Sequence, residues 1–471
     1  MSIKNISKRK VIVFLLISIF LSGLVMLPPT DIVKAEGVIK YVAVSGSGYT
    51  ADYYCDGTDD QAEINQAIID VSAVSSQGNP GTVHLYPGTY YTLTEVYLKN
   101  YVILEGDSKT NTFVKNVSQL RGGTQFRNDI QISSASYATV RNLAVRGVWG
   151  DPLYDQSWWD RSWRGIGISN NCSNITIDNV DIRDTLGDGI TGNGCPYLTI
   201  SNVNIVHVGH SGIYFRGGDG PMTITNIYIE YNANSGLRFC YANNITVKNV
   251  EVVDAWDWAV EIFSDSASDN TYNISFENLT AKLRNHDSAA NGIAILYNFP
   301  ITNGVFKYHD ISFKNCIIDN LKGVNRGDYT PGYDNIPGAG IYVRNATDVT
   351  FDNVVVYDAK NDGIDFDNDL ANGAPSTHTV KNCIISNSGG YGISKLNYSN
   401  ITVNISYNDL WQNALGSFGG GATAGTGNIN ADPLFYSPSG GANGNNDFHL
   451  KSQYGRWNGT SWETDASTSP C

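Results

Sequence analysis

One short phrase returns nine times between residues 139 and 410 and limits the folds open to this chain of 471 residues: TVRNLAV, ITIDNVDI, LTISNVNI, ITITNIYI, ITVKNVEV, ISFENLTA, ISFKNCII, VTFDNVVV and HTVKNCII. Its asparagines are Asn142, Asn179, Asn202, Asn226, Asn249, Asn278, Asn315, Asn353 and Asn382, separated by 37, 23, 24, 23, 29, 37, 38 and 29 residues. A floor near 23 residues with longer gaps describes a coil of constant girth that carries loops. Within each unit apolar and polar residues alternate, which is the period of a strand with one inward face. One unit cannot bury that face alone, but stacked units turn it into continuous ladders of Val, Ile and Phe. The expected fold is therefore all-β, a single-stranded parallel β-helix whose asparagines bond to their equivalents on adjacent coils.

A second phrase marks another edge of the coil: GDGIT (187–191), HSGIYF (210–215), NSGLRF (234–239), NGIAI (291–295), GAGIYV (338–343), NDGIDF (361–366) and GYGIS (390–394). Its glycines suit a tight bend between consecutive strands. Ahead of the coils, DGTDDQAEINQAIIDVSA (56–73) places Ala62, Ile64, Ala67 and Ile68 at helical spacing, which predicts a capping helix from Gln61 to Val71. The strand-like GTVHLYPGTYY (81–91) and VILEGD (102–107) follow. Beyond the last repeat, DPLF (432–435) and DFHLK (447–451) read as a final strand pair among glycine-rich turns. The organisation expected is a signal peptide over 1–35, a β-helix over 36–435 with its cap at 56–73, and a closing segment over 436–471.

The signal peptide rests on Lys4, Lys8, Arg9 and Lys10, then an apolar run from Val11 to Phe20 that extends to Leu27, then Val33-Lys34-Ala35 as a cleavage site. The run is shorter than the ~20 residues a spanning helix needs, so no stable membrane span is expected after cleavage. A secreted or surface location follows. With 31 Lys+Arg against 45 Asp+Glu, a net charge of −14 excludes a basic footprint for nucleic acid. Seven cysteines without CxxC or Cys/His spacing read as core residues with few bridges, and the odd number singles out Cys471. Asn116, Asn171, Asn174, Asn244 and Asn458 are among several N-x-S/T sequons, which suit a glycoprotein.

DGTDD, a short helix, GTVHLYPGTYY and VILEGD together resemble the opening of the pectate-lyase-like superfamily of secreted right-handed parallel β-helix proteins. The resemblance covers residues 38–435 and implies a right-handed coil and a polysaccharide or surface glycan as partner; the protein is expected to be a monomer.

Superimposing the repeats collects a candidate site on four coils. Asp184, His207, Tyr231 and Asp254 stand five residues after successive asparagines. Asp188, His210 and Asp257-Trp258 follow at the next bend, and Thr191, Tyr214, Arg238 and Glu261 face outward on the strand beyond. Two carboxylates serve glycoside hydrolysis, one protonated and one acting on water or carbon. In that reading Asp188 is the acid, its pKa raised by crowding, and Asp184 its partner; His207 and His210 assist, and Arg238 holds a uronate carboxylate. Asp188 and His210 lie 22 residues apart, which is similar to the polygalacturonase spacing between paired aspartates and a Gly-His-Gly motif, here GHSG (209–212). The sequence departs from that pattern at Gly187, at Gly165 and Gly167, and in lacking an RIK motif. A lyase or a uronate C5-epimerase, which abstracts a proton with His or Tyr beside a cation, is the alternative, served by Tyr214, His207, His210 and Arg238. A noncatalytic glycan-binding surface protein is a third.

Trp158, Trp159 and Trp163 in WGDPLYDQSWWDRSW are expected to stack sugar rings, with Tyr214, Asp254, Asp257, Trp258 and Glu261 lining the groove. Hydrolysis requires no cofactor. Asp365, Asp367 and Asp369 alternate along one strand and offer hard oxygen ligands suited to Ca2+.

Overall fold

Six of the repeat phrases become one long strand bent at its asparagine, as in Leu198–Val208, Met222–Asn232 and Tyr308–Asp319, and those of Asn142, Asn179 and Asn382 become two short strands either side of it. In the first of these, Leu198, Ile200, Val203, Ile205 and Val208 point inward. The inward alternation slips by one at Asn202, whose φ is +56°, in the left-handed region that Asn tolerates better than most residues. All nine repeat asparagines have φ between +51° and +58°. The slip turns the chain a corner. The computed structural model describes residues 37–471 except 119–126, 149–162, 170, 219, 283–290, 300, 302–304, 320–337, 369–374, 397–398, 439–445 and 459. The expected signal peptide thus lies outside the described residues.

The strands assemble into a twenty-strand sheet, creased along the asparagine corner, and a twelve-strand sheet. All their pairings are parallel and join equivalent positions on successive coils, as in Val203↔Ile227 and Ile213↔Leu237. The fold is a right-handed parallel β-helix with one N-terminal helix. Its core is one continuous apolar column, with Phe276 stacked on Phe313 at 4.4 Å and Phe313 on Phe351 at 5.4 Å. The helix is Gln61–Ser72 and buries Ile64, Ala67, Ile68 and Val71 over the first coil. Asp60 ties it down, its carboxylate accepting from Gly57 N at 2.8 Å and Tyr91 N at 2.6 Å. At the other end Phe435–Ser437 and Asp447–Leu450 form the expected closing pair, which is antiparallel.

The asparagine row forms as expected. Asn179 donates to Asn142 at 2.9 Å, Asn226 to Asn202 at 3.0 Å, Asn249 to Asn226 at 3.0 Å, Asn278 to Asn249 at 2.9 Å and Asn353 to Asn315 at 2.8 Å. Asn202 donates instead to Asp178 at 2.7 Å, and Asn382 to Asp352 at 2.8 Å. The glycine edge has a different cause from the one the sequence suggests. Gly189, Gly212 and Gly236 do not have positive φ. A Cβ on Gly212 would lie 2.7 Å from the carbonyl oxygen of Gly236 on the next coil, so close stacking of coils excludes the side chain.

Two outward positions precede the asparagine corner. One carries Thr139, Thr176, Thr199, Thr223, Thr246, Ser275, Ser312, Thr350 and Thr379, each in register with the next. This hydroxyl row lies on the twenty-strand sheet. All seven cysteines are free thiols; six are buried and Cys471 is exposed, so no bridge forms.

Candidate functional site

The outer face of the twelve-strand sheet carries the column expected from the repeats. Thr191, Tyr214, Arg238, Glu261, Ala294, Tyr342 and Asp365 occupy equivalent positions on consecutive coils. The bend before each strand supplies Asp188, His210-Ser211 and Asn234-Ser235. Coils lie about 4.8 Å apart, so side chains from adjacent bends meet directly.

At the centre is an alternating chain of charges. Arg164 Nε lies 3.3 Å from Asp188 Oδ2, and Asp188 Oδ1 accepts from His210 Nδ1 at 2.5 Å and from Ser211 N at 3.1 Å. Arg238 Nη1 stands 3.4 Å from His210 Nε2. Arg238 Nε is 2.8 Å from Glu261 Oε2, but that oxygen lies off the N–H direction, so the contact is electrostatic rather than a directed hydrogen bond. Ser235 Oγ donates to the same Glu261 oxygen at 2.7 Å. The guanidinium lies over the Phe263 ring at 4.1 Å and near the Tyr214 ring at 5.3 Å.

This geometry fixes protonation states. Burial pushes the Asp188 carboxyl up, but His210 and then Arg164 outweigh it and hold Asp188 below the ordinary carboxylate value. Arg has only donors, so a hydrogen bond from Arg238 would need the His210 tautomer that carries its proton on Nδ1 and a lone pair on Nε2. Burial opposes the charge on Arg238, yet Glu261, and after it Tyr214, raise its pKa above the usual value. Burial likewise raises the Tyr214 phenol, only partly countered by Arg238. The tyrosine is a proton donor at neutral pH.

Several expectations are corrected here. Asp188 is not a protonated acid, because its partners are cationic or hydrogen-bond donors rather than other carboxylates. Asp184 is not its partner: the Asp184 carboxylate is 41% exposed and pairs with His207 Nδ1 at 2.7 Å, whereas the Asp188 side chain is 2% exposed. Trp163 is buried against Val148 and Leu186, and Trp258 is buried with Cys240, Phe263, Leu296 and Tyr342, so neither offers a ring face to a sugar. Asp254 is buried, at φ +51°, while half-buried Asp257 acts on Arg238 through its charge. Trp158, Trp159 and Asp369 lie outside the described residues.

Asp365 and Asp367 share the outer face of Ile364–Asp367. Ser394 Oγ lies 2.6 Å from Asp365 Oδ1 and 2.6 Å from Asp362 Oδ2, while Tyr342 OH donates to Asp367 Oδ2 at 2.7 Å. One hydroxyl proton cannot fully serve two carboxylates, so Asp362 and Asp365 hold negative charge at close quarters. Accordingly burial, and then the charges of Asp362 and Asp367 against the Ser394 bond, push Asp365 up to about 6. Among the described residues, the acidic and thiol groups that converge closely enough to hold one ion are Cys55, Asp60 and Glu63 at the cap. They fit a metal poorly: Asp60 is bonded to backbone amides, and burial, followed by the nearby carboxylates, pushes the Cys55 thiol far up.

Arg164, Ser235 and Phe263 belong to the network without having been picked out from the sequence. Arg164 stands 24 residues before Asp188, one coil away, and that spacing was the signal available.

The family model described as "Right handed beta helix region" matches residues 164–325, and one described as "Disaggregatase related" matches residues 297–471. No curated protein matches the chain. Among solved structures, the catalytic domain of a GH87 alpha-1,3-glucanase in complex with tetrasaccharides is similar with a TM-score of 0.50 and 15% identity, over 83% of this chain and 69% of that one. The A-module of mannuronan C-5 epimerase AlgE4 from Azotobacter vinelandii gives 0.49 and 16%, over 83% and 97%. The GH87 alpha-1,3-glucanase catalytic unit from Streptomyces thermodiastaticus gives 0.48 and 14%, over 83% and 70%. At these identities the likeness shows the right-handed β-helix fold. The narrower resemblance to polygalacturonases gains nothing from these neighbours, and the charge network lacks the carboxylate pair it would need.

Proposed function

We infer that the protein removes the C5 proton of a uronate residue in an acidic polysaccharide, leading to elimination or epimerisation. The observation that carries this reading is His210, whose Nδ1 lies 2.5 Å from buried Asp188 and whose Nε2 faces the Arg238 guanidinium at 3.4 Å. Arg238 would bind the uronate carboxylate, which acidifies the adjacent C5–H. Nε2 would then take that proton, and Asp188 would stabilise the imidazolium formed. Tyr214, with its raised pKa, would return a proton: to O4 as the C4–O4 bond breaks in elimination, or to C5 in epimerisation. An N-terminal segment of secretory character suits work outside the cell on an extracellular polymer.

The test is incubation of the full chain with polygalacturonate and alginate in D2O, followed by NMR and mass spectrometry. Deuterium at C5 or unsaturated oligosaccharides, both lost in H210Q, are expected. Polymers left unlabelled and uncut would sink the reading.

Glycoside hydrolysis is a second reading, favoured by one feature: Asp365, pushed up to about 6, is partly protonated near neutral pH and shares Ser394 Oγ with Asp362. Saturated products that vanish in D365N and persist in H210Q would select it. The GH87 glucanase sharing the fold is a hydrolase by name, but fold likeness alone does not choose the bond chemistry.

A further inference from the structure

A groove of about 490 Å³ lies along the hydroxyl row, on the twenty-strand sheet. Thr139, Thr176, Thr199 and Thr223 form its floor, and Tyr137 and Tyr197 stand on its edge. In a chain with a net charge of −14, no charged side chain lines it. These threonine hydroxyls are half-buried, and none donates or accepts a hydrogen bond among the described contacts. The tyrosines stand 36% and 60% exposed.

The corner they occupy is unusual. Asn174, Asn244 and Asn273 take φ near +55° there, while Pro221, on the coil after Tyr197, turns the corner without it. Tyr101, Tyr137 and Tyr197 hold it at +60°, +55° and +59°. A left-handed tyrosine costs about 1–2 kcal/mol that asparagine largely avoids. Tyr101 and Tyr137 stack at 5.7 Å, which presents a broad aromatic edge. Tyr137 and Tyr197 are two coils apart, about 10 Å, comparable with the disaccharide repeat of an extended glycan chain.

The geometry points to a second glycan site here: a noncatalytic track that holds an extended neutral polysaccharide along the helix axis. Tyr137 and Tyr197 stack on sugar rings and the threonine row hydrogen-bonds to sugar hydroxyls. The absence of charge selects neutral over acidic polymers, since a polyuronate would lose hydration without gaining an ion pair. The projecting tyrosines also favour a chain over a flat lattice such as ice. The track is independent of the chemistry at His210 and lies on the other sheet.

Native-gel affinity electrophoresis of the full chain through xylan, β-mannan, β-1,3-glucan, polygalacturonate and alginate tests this. Y137N/Y197N converts both corners to the residue used on the neighbouring coil, so it should fold with an equal or higher melting temperature. At least one neutral polymer is expected to retard the wild type. Y137N/Y197N should weaken that retention by roughly 10-fold or more, and T176V/T199V by about 3–10-fold. H210Q should be retarded like the wild type, which separates this site from the proposed reaction. Retardation by polyuronates alone, retention unchanged in Y137N/Y197N, or no retardation by any polymer would each overturn the proposal. Ice-growth inhibition lost in T176V/T199V without polymer retention would likewise replace it with a lattice-binding face.

Discussion

Asp188→Ala gives the sharpest test of the charge network. The Asp188 carboxylate accepts from His210 Nδ1 and Ser211 N and faces Arg164, with its side chain 2% exposed. Truncation leaves a buried amide without its acceptor, worth about 1–3 kcal/mol, and a poorly solvated guanidinium without its counter-charge. Breaking a buried ionic pair from one side costs about 3–5 kcal/mol, the loss expected for D188A. D188N keeps an oxygen for Ser211 N and should lose about half as much. The acid limb has a definite sign. The folded pKa of Asp188 is depressed, so its contribution is present above the unfolded value of about 3.9 and disappears as pH falls through the folded pKa. The difference between wild type and D188N should therefore be full at neutral pH and shrink only below about pH 4. Urea unfolding at several pH values, read at the main transition, measures both quantities. A D188A loss below about 1 kcal/mol, or a D188N gap constant from neutral to strongly acidic pH, would refute the assignment of a buried, ionised Asp188.

Asp365 has the opposite linkage. Its folded pKa of about 6 exceeds the unfolded one, so stability falls as pH rises from about 4 to about 6 and stays at the lower level above it; D365N should raise thermal stability at pH 8 while changing little at pH 4. A uniform effect across that range would argue against the raised Asp365 pKa. Gly212→Ala forces a Cβ to within 2.7 Å of both Gly236 O and Ile229 Cγ2 and should cost about 1–3 kcal/mol in urea unfolding. Wild-type stability would show that the coils can part more easily than their stacking suggests. Phe313→Ala removes the middle ring of the Phe276–Phe313–Phe351 stack and should cost about 3–5 kcal/mol; a loss under ~1 kcal/mol would mean the neighbouring rings close the gap.

The fold was readable because a solenoid writes its geometry into sequence spacing. Nine asparagines gave the corner, and the column from Thr191 to Asp365 emerged in register because each coil repeats the same strand. The chemistry was less legible, since charge state depends on burial and partners rather than on position. Asp188 and Asp184 look alike four residues apart, yet one is enclosed by Arg164 and His210 and the other is open to water beside His207. Arg164 escaped notice because the coil holding it follows a long insertion that carries no repeat phrase. The indoles of Trp163 and Trp258 read as surface rings because one stands in a polar, aromatic insertion and the other at a bend; Val148 and Leu186 pack on the first, and Cys240, Phe263, Leu296 and Tyr342 on the second. The glycine edge was predicted in the right place for the wrong reason, since approach between coils, unlike backbone sign, has no trace within one repeat.

The asparagine row has a polarity. In every described pair the amide nitrogen points to the preceding coil and the oxygen to the following one, so the side-chain dipoles add along the solenoid axis as peptide dipoles add along an α-helix. The positive end of the run from Asn278 back to Asn202 terminates on the Asp178 carboxylate, and Asn382 terminates on Asp352 in the same way. A negative charge is thus welcome where such a run begins and unwelcome inside it. Deamidation of Asn249 would put a carboxylate against the Asn226 oxygen and take away the donor joining their coils, while Asp178 already occupies the place where that charge does no harm.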